Sequence, residues 1–267
     1  MKILILGDVV GPSGRKALKR NLPRIIKENK INFSIVNGEN AADDGKGITE
    51  EIAEKLFSLG IDVITSGNHI WDKEETLSYI DRENRLLRPA NLADGSPGRG
   101  FGIYFTNDKK YKVGVINLMG NVFMRKTEDV FKKAKEISEK IKIKKNVDFS
   151  VVDFHGEITS EKMAIGNLFD GYATLVVGTH THVPTNDARI LSKGTAYQTD
   201  AGMCGDYNSI IGMDKNNSLN RFMKKNSIKH FPSEGEASLC GVIVTCNIKN
   251  GLAEKIESFI YGGELSN

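Results

Sequence analysis

Leu175-Val176-Val177-Gly178-Thr179-His180-Thr181-His182 passes within one short stretch from an apolar run to a pair of imidazoles. The apolar part is too short for a helix and reads as a buried strand, and Gly178 permits a sharp turn where it ends. Histidines two apart in extended backbone project to the same side. Four other segments repeat the design. Ile3–Leu6 leads into Gly7-Asp8, and Phe33–Val36 into Asn37-Gly38-Glu39-Asn40. Val63–Thr65 leads into Ser66-Gly67-Asn68-His69, and Val151–Phe154 into His155-Gly156-Glu157. In sheets containing parallel strands, ligands bind outside the strands' carboxyl ends, where such loops converge.

The segments between these strands supply crossover helices. Ser13–Lys30 reads as helical, with Pro23 expected to break or kink it into two pieces. Thr49–Leu59 is predicted helical, with Thr49 as N-cap and Gly60 as its stop, and a further helix is expected near Asp72–Ile80. This βαβα order argues for parallel strands. Arg88–Gly102 reads as a loop, and Phe101–Phe105 with Val113–Leu118 as a hairpin around Asn107–Lys110. Thr127–Lys145 is expected to be one helix, with Ile137 and Ile141 on a single face, and another is expected near Ser160–Leu168. Phe149–Asp153 and Thr174–Val177 read as buried strands. Beyond Val183 the chain reads mostly as β, over Arg189–Leu191, Thr195–Gln198 and Leu239–Ile248, with Gly202–Ser227 as a Gly-, Asn- and Lys-rich insertion. Without repeats or linkers, residues 1–267 are expected to form a single α/β domain with two mixed sheets.

Composition narrows the class. Thirty-seven Lys and Arg against 34 Asp and Glu leave a net charge of +3, too little for bulk attraction to DNA or a membrane surface. Cys204, Cys240 and Cys246 are an odd set without paired spacing, which argues against a disulfide framework or zinc ribbon and suits a reducing cytoplasm. The opening run Ile3–Leu6 is cut short by Gly7-Asp8, so neither a signal peptide nor a membrane span is expected.

Taken singly, each polar strand end has an ordinary reading: Asp8 as a turn residue, Asn37–Asn40 as a turn, His69 or His155 as a half-buried histidine. Together they are harder to dismiss, because four of the five histidines sit at these positions. The candidate metal ligands are Asp8, Glu39, Asn40, Asn68, His155, His180 and His182. Imidazole, carboxylate and amide without thiolate suit Fe or Mn, with Zn a further option. So many ligands exceed the needs of one catalytic ion and suffice for two divalent or trivalent ions about 3.5–4 Å apart. Ionised Asp8 and Glu39 would leave such a site with residual positive charge, enough to attract a phosphodiester.

These motifs resemble the calcineurin-like metallophosphoesterases, through Gly67-Asn68-His69 and Gly178-Thr179-His180-Thr181-His182. Two features depart from the common pattern: Asp8-Val9-Val10 lacks the histidine of D-x-H, and Glu39 stands where an aspartate is usual. Both match the branch of YmdB-type cyclic-nucleotide phosphodiesterases, whose blocks resemble Gly7–Gly11, Asn37–Ala42, Gly67–Asp72, Asp153–His155 and Gly178–Val183. The resemblance implies a four-layer αββα sandwich. It further implies one ion held by Asp8, Glu39, Asn40 and His182 and a second by Glu39, Asn68, His155 and His180, with Glu39 shared. His69 would be the catalytic proton donor rather than a ligand. Family members are often iron- or manganese-containing oligomers, so a homo-oligomer, dimeric or tetrameric, is expected.

The activity this implies is hydrolysis of 2′,3′-cyclic nucleotides, and of 3′,5′-cyclic ones as a second substrate, by a metal-bridging hydroxide with His69 as general acid. Phosphomonoester or nucleotide hydrolysis and cleavage at RNA ends are alternatives on the same site. A metal-binding regulatory or scaffolding role is the alternative of another class. Tyr104, Phe123, Tyr207 and Phe222 could stack on a base, and Arg221, Lys224 and Lys225 could meet a phosphate, although packing and a solvated face are the simpler readings. Glu157 could orient a ligand or cap a helix.

Overall fold

The computed structural model describes residues 1–224 and 229–266. The chain runs β1 (Lys2–Val9), α1 (Gly11–Asn29), β2 (Phe33–Asn37), α2 (Glu50–Ser58), β3 (Val63–Thr65), α3 (Glu75–Arg82), β4 (Phe101–Phe105) and β5 (Lys112–Met119). It continues with α4 (Val130–Lys140), β6 (Phe149–His155), α5 (Thr159–Leu168), β7 (Leu175–Thr179), β8 (Arg189–Ile190), β9 (Ala196–Gln198) and β10 (Met203–Asp206). Last come α6 (Lys215–Phe222), β11 (Ala237–Cys246), β12 (Ala253–Tyr261) and a closing 3-10 turn. Two six-stranded sheets result, ordered β12-β11-β10-β1-β2-β3 and β4-β5-β6-β7-β9-β8. The centre of each is parallel, with β10, β1, β2 and β3 in one and β5, β6, β7 and β9 in the other. Antiparallel strands flank the parallel run on one side of the first sheet, where β3 forms the other edge, and on both sides of the second.

Alternation along the strands sorts side chains into layers. Ile3, Ile5, Phe33, Ile35 and Val63 of the first sheet meet Val113, Val115, Phe149, Val151, Leu175 and Val177 of the second. The intervening residues face outward. Leu4, Leu6 and Val36 pack on Leu18, Leu22 and Ile25 of α1 and on Ile52 and Leu56 of α2. On the other side Ile116, Val152, Phe154 and Val176 pack on Val130, Ala134 and Ile137 of α4 and on Ile165 of α5. The architecture is an αββα sandwich.

Following the inward positions toward the carboxyl ends leads to the site. After Phe33 and Ile35 comes Asn37; after Val63, Thr65; after Phe149 and Val151, Asp153 and His155; after Leu175 and Val177, Thr179. The inter-sheet core changes from apolar to polar without changing face. In β1 the same count would place Gly7 inward and Asp8 outward. A bulge intervenes: Leu6 pairs with Val36 but Asp8 with Asn37, so Gly7 is the extra residue and Asp8 turns into the space between the sheets. A side chain at Gly7 would overlap the Gly202 carbonyl, which is why this residue lacks one.

Several boundaries differ from the sequence reading. Pro23 lies inside an unbroken α1. It is exposed, as is Lys19 one turn earlier, so the lost backbone bond falls on the solvent side while Leu22 and Ile25 hold the buried face. α4 is shorter than expected: Asp129 caps its start, and past Lys140 the chain is turned back by left-handed Lys144 (φ 62°) and the Asn146 side chain, which accepts from Lys142 N at 2.7 Å. α3 begins at Glu75 rather than Asp72, whose carboxylate is engaged by His69. The supposed insertion 202–227 contains the buried strand β10 and helix α6, while its residues 225–227, Lys225 among them, lie outside the described residues. β12 is not expected from the sequence, where Glu254, Lys255 and Glu257 give this exposed edge strand the polarity of a loop.

Candidate metal centre

Asp153 anchors the polar end of the inter-sheet core. Fully buried, it accepts hydrogen bonds from Asn37 Nδ2 (3.0 Å) of β2 and Thr65 Oγ1 of β3, across the sheet interface, and from Thr179 Oγ1 (2.7 Å) of neighbouring β7. Because Thr179 spends its hydroxyl hydrogen on Asp153, its oxygen can only accept from His155 Nδ1, 2.9 Å away. That assigns the tautomer of His155 and turns Nε2 toward the site. Asp153 did not stand out in the sequence beyond its place in the Asp153–His155 block, since only the register shows what it supports.

Three further side chains meet His155 Nε2. Glu39 Oε1 is 2.9 Å away, His180 Nδ1 3.0 Å and Asn68 Oδ1 3.3 Å. The ligand atoms of Glu39, His155 and His180 lie within 4.8 Å of one another. The other nitrogen of His180 faces Glu157 Oε2 at 3.2 Å, so Glu157 orients this ring. On the other side, His182 Nδ1 donates to Ile211 O (2.8 Å), leaving Nε2 facing Asn40 Oδ1 at 3.3 Å. The Asn40 amide is held by donating to Gly45 O at 2.8 Å. Asp8 Oδ2 accepts from His180 N at 3.0 Å; its buried Oδ1 accepts no hydrogen bond among the described residues and lies 3.7 Å from His155 Nδ1.

Histidines 180 and 182 do not project together, contrary to the extended-strand expectation. β7 ends at Thr179, and both residues have left-handed backbones, φ 98° and 66°, so one ring turns to His155 and the other to Asn40. Non-glycine residues in such conformations cost about 1–3 kcal/mol each and persist only where the surroundings hold them.

These residues fit a bound cation on three counts. Acceptor atoms face one another where a donor would be needed, as with His182 Nε2 and Asn40 Oδ1. A buried carboxylate oxygen of Asp8 is left without a hydrogen bond among the described residues. The electrostatics agree. Burial disfavours charge on both Glu39 and His155, but their attraction at 2.9 Å outweighs it, pushing the carboxyl down to about 2 and the imidazole up to about 9. The proton they share occupies the line a cation would take. Burial, assisted by the neighbouring His155 charge, lowers His180 to about 3 and keeps it a neutral donor. Burial raises Asp8 to about 6 against the pull of nearby His182 and His155.

His69 stands beside this cluster. Its backbone N donates to Glu39 Oε2 (3.1 Å) and its ring Nδ1 lies 2.6 Å from Asp72 Oδ2, whose other oxygen is 3.3 Å from Arg125. With 23% of its side chain exposed, the ring is reachable from solvent. Gly67 is a close-approach position: a Cβ there would overlap both the Glu39 carboxylate and the His155 ring. Gly67→Ala is therefore expected to abolish metal uptake by folded protein, measured by inductively coupled plasma analysis beside circular dichroism; normal metal content would show that the cluster tolerates displacement.

The aromatic candidates divide. Tyr207 buttresses the site, its hydroxyl donating to His182 O at 2.9 Å, and Tyr104 donates to Asn84 O at 2.6 Å. Phe123 and Phe222 are 85% and 79% exposed. Cys204 is buried, and burial raises its thiol far above the usual range, so it is not a nucleophile.

A carboxylate, amide and imidazole cluster at the strand ends of an αββα sandwich defines a metallophosphoesterase. More narrowly, the chain belongs to the family of YmdB-like proteins, whose sequence model matches residues 4–259. It is 45% identical over 260 residues to the 2′,3′-cyclic-nucleotide 2′-phosphodiesterase of Bacillus subtilis (strain 168), covering 97% of each chain. A crystal structure described as a novel phosphatase from Mycoplasma pneumoniae superposes with a TM-score of 0.89 at 37% identity, over 98% of this chain and 93% of that one. A hypothetical protein from Thermus thermophilus gives 0.89 at 35% identity, over 98% and 99%.

Proposed function

We propose that this chain is a metal-dependent phosphodiesterase that opens nucleoside 2′,3′-cyclic phosphates at the P–O2′ bond, adding water to leave the 3′-phosphate. The observation that carries this is the convergence of Glu39, His155 and His180 ligand atoms within 4.8 Å, with their remaining polar atoms tied elsewhere. Asn68, His155 and His180 with Glu39 would hold one cation, and Asp8, Asn40 and His182 with Glu39 the other. Bound there, such ions supply Lewis acidity toward the phosphoryl oxygens and a nucleophile at neutral pH. The donor set favours Fe or Mn.

The chain itself supplies the proton. Asp72 fixes the His69 ring through Nδ1 at 2.6 Å, leaving Nε2 as the atom that gives a proton to the departing ribose oxygen. We read residues 1–267 as one catalytic domain, working as a homo-oligomer in the cytoplasm. The free, buried cysteines suit a reducing compartment, and no helix among the described residues is long and apolar enough to cross a membrane.

Metal analysis coupled to turnover tests the reading. Hydrolysis of 2′,3′-cyclic AMP is expected to vanish on chelation, return with Mn2+ or Fe2+, and exceed hydrolysis of p-nitrophenyl phosphate. Activity that survives removal of all metal, or a preference for the monoester, would overturn it.

A further inference from the structure

Lys162 is a fully buried lysine that the proposed chemistry does not use. It projects from α5 in the outer helical layer, and its stem passes Gly178, where a Cβ would come within 2.8 Å of Lys162 Cδ. Its Nζ ends 2.5 Å from Asp200 Oδ2, and both side chains are 1% exposed. A buried ion pair of this kind adds little stability over apolar residues of similar volume, so its placement calls for another explanation.

The remaining bonds of Asp200 supply one. Oδ2 also accepts from Thr181 Oγ1 (2.7 Å) and Thr181 N (3.3 Å), and Oδ1 accepts from Gly202 N (2.8 Å). Thr181 is the residue between His180 and His182, whose left-handed backbones turn their rings to different groups. Gly202 presents its carbonyl to Gly7, in the bulge that aims Asp8. One carboxylate thus gathers the two segments that direct three of the candidate ligands. Three of these donors, counting Lys162, converge on Oδ2, and Oδ1 is engaged by Gly202.

We infer that Lys162 and Asp200 are a positioning pair that grips Thr181, splays His180 and His182 apart, and so sets the affinity of the chain for its cations. The inference rests on the reading of those histidines as ligands. The test titrates chelated protein with Mn2+ by calorimetry, beside thermal melting of the metal-free form. Thr181→Val keeps the shape and removes the hydroxyl donor; it should bind Mn2+ about 10–100-fold more weakly, with little change in metal-free melting. Thr181→Ser should restore affinity, and Lys162→Met should lower it at least as far. Should Lys162→Met fail to fold, the Val and Ser pair still decides. Wild-type affinity in Thr181→Val, or a loss that Thr181→Ser does not recover, overturns the positioning role while leaving the metal site standing. Absence of Mn2+ uptake by the wild-type protein would instead bring down the site reading itself, and this inference with it.

Discussion

Glu39→Gln is expected to lower turnover of 2′,3′-cyclic AMP by about 10³-fold or more, a loss of the size seen when a dominant electrostatic contact in an active site is removed. The substitution is nearly isosteric, so its effect is one of charge. Glu39 is 1% exposed, its Oε1 is 2.9 Å from His155 Nε2 and its Oε2 accepts from His69 N at 3.1 Å. Glutamine keeps the volume but removes the negative charge that faces His155, and its NH2 would compete with a cation for the neighbouring lone pairs. Bound metal per chain should fall in parallel. Near-normal phosphodiesterase activity in this variant would rule out a shared carboxylate.

His69→Ala should produce the second large loss, about 10²–10⁴-fold in kcat, with metal content unchanged. The ring is not among the groups facing His155 Nε2; it is held by Asp72 at 2.6 Å and partly exposed. A proton donor matters most when the departing oxygen is a poor leaving group. The variant should therefore hydrolyse bis(p-nitrophenyl) phosphate far better, relative to wild type, than it hydrolyses 2′,3′-cyclic AMP. Loss of metal, or an equal loss on both substrates, would show that His69 acts as a ligand or a structural residue.

Much of the scaffold was legible in the sequence because short apolar runs, each ending in glycine and polar residues, carry both a strand and its orientation. The strand ends of β1, β2, β3, β6 and β7 were readable in this way, and they are the ends that meet in the structure. What could not be read depends on register or on partners far along the chain. Asp153 looks like any strand aspartate until Asn37, Thr65 and Thr179 are seen around it. Lys162 lies on a helix predicted from its apolar residues, and nothing local reveals that its ammonium reaches Asp200, 38 residues on. The divergence of His180 and His182 arises from left-handed backbone that residues other than glycine seldom adopt, so alternation rules misplaced them.

The irregularity at Gly7 makes the first strand a frame-shifting device. Drawing Gly7 into regular pairing, so that the bulge is lost, would preserve the order of greasy side chains on either side of Asp8 yet send its carboxylate into the helical layer, among Leu18 and Leu22. A library scanning insertions and deletions through residues 5–9 should recover chemistry only from variants that keep Asp8 on the inner face, deletion of Gly7 among them, whatever their tolerance for changes in side-chain identity.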